Sequence, residues 1–284
     1  MGYSGRSFTR TKEWPLGTHA DVNLYQVFQK PGVRRRKSKP SRECQRLINA
    51  RESVEKARRL ILENFCEPGS LEIDLTFRRR VEKEEAVTAM QKYIRELRKR
   101  YRAAGAEFRY MYAKEQGEAS GKWHFHLFVS PGPMSRDELE AAWPHGYANS
   151  RRPHIDETGL AGLAEYITKQ RKNRGTKEKG KRSWSCSKNL RRPQPKIQDG
   201  KISMRELAQL AEAIQRRNAE PLIEKMWPGM TLVEAEAVRN LRNRGLYIRL
   251  KLAAPETWHN RRPVARYLSG EIGGAWTKQV DKII

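Results

Sequence analysis

Two short runs constrain this fold more than anything else in the chain. Leu71, Ile73, Leu75 and Phe77 alternate with Glu72, Asp74, Thr76 and Arg78. Trp123, Phe125, Leu127 and Val129 alternate with His124 and His126. A period of two sends successive side chains to opposite faces, so each run reads as a strand with one face buried. Such strands need an apolar partner over that face. Lys83 to Ala104 supplies one, with Val87, Met90, Ile94, Leu97 and Tyr101 on one helical stripe and Gly105 at its end.

Residues 107–115 read as a further strand, joined to the histidine strand by a hairpin with Gln116-Gly117 and Ser120-Gly121. A short helix over about 135–142, a strand between Gly146 and Ile155, and a helix over about 159–171 complete the series. The order β-α-β-β-α-β-α predicts an α+β fold. It is an antiparallel sheet with helices on one face, related to ferredoxin-like and RRM-like arrangements.

The flanks are less regular. Residues 1–43 lack periodicity and hold the basic run Val33 to Pro40, either a DNA-contacting arm or a solvated linker. Residues 44–66 carry helical spacing, and Pro68-Gly69 breaks it. Helical patterns recur at 203–218 and 231–244, where a helix-turn-helix-like origin reader is one reading. Leu246 to Leu252 reads as a strand. Three regions result: a basic, partly helical extension over 1–69, a central domain over 70–195, and a mainly helical region over 196–284.

Charge points to the partner. Lys and Arg number 58 against 33 Asp and Glu, a net charge of +25. That excess is the footprint of a polyanion, nucleic acid first. Residues 171–192 concentrate it, with ten basic residues against Glu178 alone, and Trp184 among them for stacking. Three cysteines without paired spacing argue against a disulfide framework and for a reducing, cytoplasmic setting. No apolar run reaches the length of a membrane span, so no membrane partner is expected.

His124 and His126 share a strand face, and paired imidazoles there suit a divalent metal. Glu115, nine residues earlier across the hairpin, adds the hard oxygen that favours Mg²⁺ or Mn²⁺, with Glu118 in the turn as the rival. Tyr166 lies on a helix whose Leu160, Leu163 and Ile167 form a packing stripe. Gly159, Gly162, Tyr166 and Lys169 form another stripe, where small residues leave room for a phosphate. A tyrosine hydroxyl, with a pKa near ~10, is a weak nucleophile at neutral pH. A metal on the scissile phosphate offsets that weakness.

These motifs resemble the HUH endonucleases. His124-Phe125-His126 is similar to their His-hydrophobe-His motif, and Tyr166-Ile167-Thr168-Lys169 to their Tyr-x-x-Lys motif. The strand ending Leu75-Thr76-Phe77 is similar to their first motif. Order and spacing resemble single-tyrosine rolling-circle replication initiators of small phages and plasmids, over about residues 71–195. The segment Ser183 to Pro193 is similar to the one after the nucleophile helix in that group. The resemblance implies nicking of single-stranded or melted origin DNA by Tyr166, a 5′-phosphotyrosine and a free 3′ hydroxyl. Lys169 would assist, and host polymerase and helicase would be partners, in a prokaryotic host. Arg78, Lys172, Arg174, Lys188, Arg191 and Arg192 are the expected DNA contacts. A relaxase or single-tyrosine transposase would use the same chemistry, whereas a non-catalytic binding module would form no covalent adduct.

Overall fold

The structure is a computed structural model that describes residues 7–28, 43–117, 120–154, 184–240, 245–255 and 266–272. Its helices and two largely antiparallel sheets make an α+β protein, as the element order predicts. The chain divides into two compact units. One takes in the described residues up to Glu52 and from Pro193 onward. The other runs from Ser53 to Arg192.

The first unit is built on a six-stranded sheet. Its strands are β1 (Ser7–Leu16), β2 (His19–Phe28), β8 (Lys196–Asp199), β9 (Thr231–Asn240), β10 (Leu246–Ala253) and β11 (Arg266–Ile272), in the order β11-β9-β10-β2-β1-β8. Leu16 pairs with His19 across a two-residue turn. Gly17 takes φ +65°, the left-handed conformation that primed hairpin turns require. Val22, Leu24, Leu250, Leu252, Ala235 and Ala237 form the apolar face. Two helices cover it, α4 (Met204–Gln215) through Leu207, Leu210 and Ile214, and α5 (Glu220–Met226) through Ile223. Ser203 starts α4 with a reciprocal capping box to Glu206.

Two expectations are corrected here. Residues 7–28, within the segment read as lacking periodicity, form the hairpin β1–β2; buried Asp21 and Asn23 fill the second face and hide the alternation. Residues 231–240 are strand β9, not helix, which removes the helix-turn-helix-like pair and the mainly helical reading of 196–284. Alanine and glutamate favour a helix there, but pairing with β10 and β11 overrides that local preference. The strand over 246–252 and the helix within 203–218 are found as expected.

The second unit carries the alternating runs. Strands β3 (Leu71–Phe77), β4 (Tyr110–Gln116), β5 (Trp123–Val129), β6 (Gly146–Arg151) and β7 (Trp184–Cys186) lie in the order β6-β3-β5-β4-β7. Every pairing is antiparallel. One face buries Ile73, Leu75, Phe77, Phe125, Leu127 and Val129. Against it pack α2 (Lys83–Ala103), through Met90, Ile94, Leu97 and Tyr101, and α3 (Arg136–Ala141), through Leu139. The Trp143 indole adds a hydrogen bond to the Thr76 carbonyl at 3.0 Å.

The opposite face is only partly covered. Helix α1 (Glu43–Asn64) crosses the division between the units in sequence, and Phe65, just beyond it, meets Phe128 at 5.8 Å between ring centroids. Gly146 opens β6 where a Cβ would lie 2.1 Å from the Thr76 carbonyl oxygen, so only glycine fits that approach. None of the described helices is long and apolar enough to cross a membrane.

Candidate active site

Register assembles the site on the partly covered face of the second sheet. Thr76 pairs with His124, which pairs with Glu115; one step along, Asp74 pairs with His126, which pairs with Ala113. Residues directly opposite across an antiparallel ladder share a face. Thr76, Asp74, His124, His126 and Glu115 therefore stand together, while Trp123, Phe125 and Leu127 go into the core. The hairpin between β4 and β5 closes on backbone bonds from Gly117 to Lys122 (2.9 Å) and from Gly121 to Gly117 (2.8 Å), the position expected for the turn. Gly117 is needed there, since a Cβ would press on Ser120 Oγ and the His124 ring.

His126 is the centre of the cluster. Its Nδ1 lies 2.6 Å from Asp74 Oδ1, and its Nε2 lies 3.5 Å from Glu115 Oε2. Burial opposes ionisation of Asp74, but hydrogen bonds from His126 and Arg151 outweigh it and hold the carboxyl below the ordinary range. A carboxylate at that distance accepts from Nδ1–H, and in the neutral ring Nε2 then turns its lone pair toward Glu115. Glu115 Oε2 is itself buried without a hydrogen bond. Two electron-rich atoms facing each other in this way suit a cation between them. His124 is half-buried; desolvation lowers its pKa, against the pull of the Glu115 charge, so it favours the neutral, ligating form.

Arg151 completes the arrangement from β6. Its guanidinium bonds Glu72 Oε1 at 2.6 Å and Glu72 Oε2 at 3.2 Å, and also contacts Asp74 Oδ2. Burial raises the Glu72 pKa even with Arg151 beside it. Among the described residues, Glu72, Asp74 and His126 place ligand atoms within 4.8 Å of one another. Arg151 already puts positive charge on both of these carboxylates.

Register places His124, His126 and Glu115, the residues expected to ligate metal, on one sheet face, with Asp74, Glu72 and Arg151 on the same face. Asp74 was legible as a polar residue on the histidine face; Arg151 was not, because the limits of β6 were open. A buried acid at Glu72 demanding a cation was the available signal. Tyr166, Lys169, Lys172, Arg174 and Glu118 lie outside the described residues. Arg78, Lys188, Arg191 and Arg192 are exposed. The Arg191 backbone is fixed by Asn64, with bonds of 2.8 Å in both directions, so this basic segment is anchored to the same unit as the histidines. Trp184 also donates to Ser53 Oγ at 3.1 Å.

Residues 72–171 match the family model described as "Replication-associated protein ORF2/G2P". The match takes in β3 to β6 and the segment holding Tyr166, and it is consistent with a replication initiator of the Rep type. No curated protein and no solved structure matches the chain.

Proposed function

We propose that this chain is a single-tyrosine HUH endonuclease that initiates rolling-circle replication by nicking origin DNA. The observation that carries the reading is the convergence of His124, His126 and buried, unbonded Glu115 Oε2 on one sheet face within the segment similar to replication-associated proteins. The strand order β6-β3-β5-β4, with α2 and α3 as crossovers on the other face, supports a ferredoxin-like reading of this unit.

His124, His126 and Glu115 would hold Mg²⁺ or Mn²⁺, with Asp74 fixing the tautomer of His126. A bound ion supplies charge neutralisation at the scissile phosphate and stabilises the departing 3′ oxygen. Tyr166 Oη forms the bond to phosphorus and gives up its proton. The P–O3′ bond breaks, and the 3′ oxygen takes a proton to become the free hydroxyl that a host polymerase extends. Lys169, one helical turn beyond Tyr166, pairs with the phosphate or with phenolate character at the tyrosine. Attack by a 3′ hydroxyl on the phosphotyrosine later releases the protein and rejoins the strand. The bond energy stays in the covalent link, so nicking needs no ATP. Single-stranded or melted origin DNA is the substrate, with a separate host helicase opening the duplex, in the cytoplasm of a prokaryotic host. Arg78, Lys172, Arg174, Lys188, Arg191 and Arg192 would carry the backbone contacts.

Labelled single-stranded origin DNA, incubated with Mn²⁺ or EDTA and run on a denaturing gel, tests this. A metal-dependent protein–DNA adduct that disappears in Tyr166→Phe is the expected result. Tight binding without an adduct in any origin fragment would instead make the protein a non-catalytic binding module.

A further inference from the structure

Strand β6 forms one edge of the five-stranded sheet, and three of its side chains point to the histidine face. Tyr147 pairs with Thr76, Asn149 with Asp74, and Arg151 with Glu72, so Tyr147 shares a cross-strand row with Thr76, His124 and Glu115. Tyr147 is 73% exposed, the most exposed large hydrophobic side chain among the described residues. Asn149 beside it is also exposed, and Arg151 keeps about half of its side chain, 47%, in solvent. Successive same-face residues on a strand stand about 6.6 Å apart. The edge therefore offers an aromatic ring, an amide and a guanidinium in line, next to the acceptor cluster.

Isolated surface tyrosines are ordinary. This one differs in its setting. The strand beneath it is held by the Arg78 amide bonding the His145 carbonyl at 3.1 Å and by Thr76 Oγ1 bonding the Tyr147 carbonyl at 3.3 Å. Arg78, exposed, leaves β3 at this same end. The core behind it is closed by Phe77, Trp143 and the close seat of Gly146, where a Cβ would lie 2.1 Å from the Thr76 carbonyl oxygen. An exposed ring on a firmly held strand, beside exposed positive charge, is the arrangement that recognises an unstacked nucleobase.

We infer that Tyr147 is a stacking platform for a base of the single-stranded DNA lying across the site, with Asn149 placed to bond that base's edge. The inference rests on the proposed DNA substrate, and it assigns Tyr147 a positioning role through its ring rather than its hydroxyl. Phenylalanine should therefore replace it, and alanine should not. Because the side chain is so exposed, neither substitution disturbs the core.

The test uses the full chain and fluorescein-labelled oligodeoxythymidylate in EDTA, where no covalent step can occur, read by anisotropy. A second strand of equal length carries abasic spacers in place of bases. Tyr147→Ala is expected to weaken the thymidylate strand by about fivefold or more, the lower end of measured stacking contributions. It should leave the abasic strand's affinity unchanged, and Tyr147→Phe should bind both strands like the wild type. Equal affinity of wild type and Tyr147→Ala for thymidylate, or an equal loss on the abasic strand, overturns the inference. In Mn²⁺ with origin DNA, Tyr147→Phe should still form the adduct; its loss there would make Tyr147 a nucleophile and overturn the platform role. Absence of any adduct in the wild type would count against the nickase reading alone, since the EDTA binding result stands independently.

Discussion

Each sheet has one face sealed by helices and another that carries charge, and the two charged faces are settled differently. On the six-stranded sheet, Glu236 is buried and meets Arg51 at 2.6 Å and Arg249 at 3.8 Å, while Arg249 also reaches Glu52 at 2.8 Å and Lys251 meets Glu234 at 3.0 Å. There, Glu234 and Glu236 have cations. On the five-stranded sheet, Arg151 serves Glu72 and Asp74, but the next acid along, Glu115, faces a histidine nitrogen rather than a guanidinium or ammonium. Paired charge on the first sheet is architecture. The acceptor surplus on the second is what a cation, and through it a phosphate, would satisfy.

Breaking the surplus should cost chemistry and little stability. His126→Ala is expected to lower Mn²⁺-dependent adduct formation by roughly a thousandfold, since a catalytic metal supplies several kcal/mol. Its melting temperature should stay close to wild type, and quantifying the adduct beside a thermal melt checks both. Breaking the paired face should do the reverse. Glu236→Ala leaves the partly exposed Arg51 and Arg249 guanidinium groups short of a partner and should destabilise the protein by about 2 kcal/mol. Urea unfolding measures that loss, and at permissive temperature the surviving folded fraction should still form adduct.

A smaller effect separates ligand from support. Asp74→Asn removes the charge that orients His126, and loss of such a partner typically weakens metal binding by about tenfold to a hundredfold. Mn²⁺ titration followed by electron paramagnetic resonance reads this without any turnover. An unchanged affinity would mean that Asp74 serves Arg151 alone.

The smallest effect lies far from either charged face. Ser203→Ala should cost about 1 kcal/mol through the lost cap of α4. Its partner Glu206 has its carboxyl held below the ordinary range by hydrogen bonds from Ser203. A depressed carboxyl stabilises the fold above its unfolded pKa of about 4.3 and loses that contribution as pH falls through the folded value. Glu206→Gln should therefore lower stability slightly at neutral pH and flatten the acid limb, with variant and wild type converging below about pH 4.3.

How far the sequence could be read follows the same division. The five-stranded sheet was legible because β3 and most of β5 keep apolar residues on one side, Ile73, Leu75 and Leu127 among them, so a period of two stands out. The six-stranded sheet was not, because its charged face is itself buried. Asp21, Asn23 and Glu236 sit inside, and Thr9 and Thr11 occupy the other face among apolar residues. Polarity then no longer reports direction along β1, β2 and β9. The candidate site divides likewise. His124, His126 and Glu115 are local in sequence across one hairpin, whereas Arg151 reaches Glu72 from 79 residues away and depends on strand order that no local pattern encodes.

The tight seat of Gly146 against Thr76 has a consequence for how this site can change. A strand has only two sides, so slipping β6 by one residue would turn Tyr147, Asn149 and Arg151 inward and bring Ala148 and Ser150 out. The site is therefore sensitive to parity: an inserted residue between Gly146 and Arg151 inverts the edge, while a paired insertion restores it. The glycine, the one residue that can sit against that carbonyl, marks the phase from which the count begins.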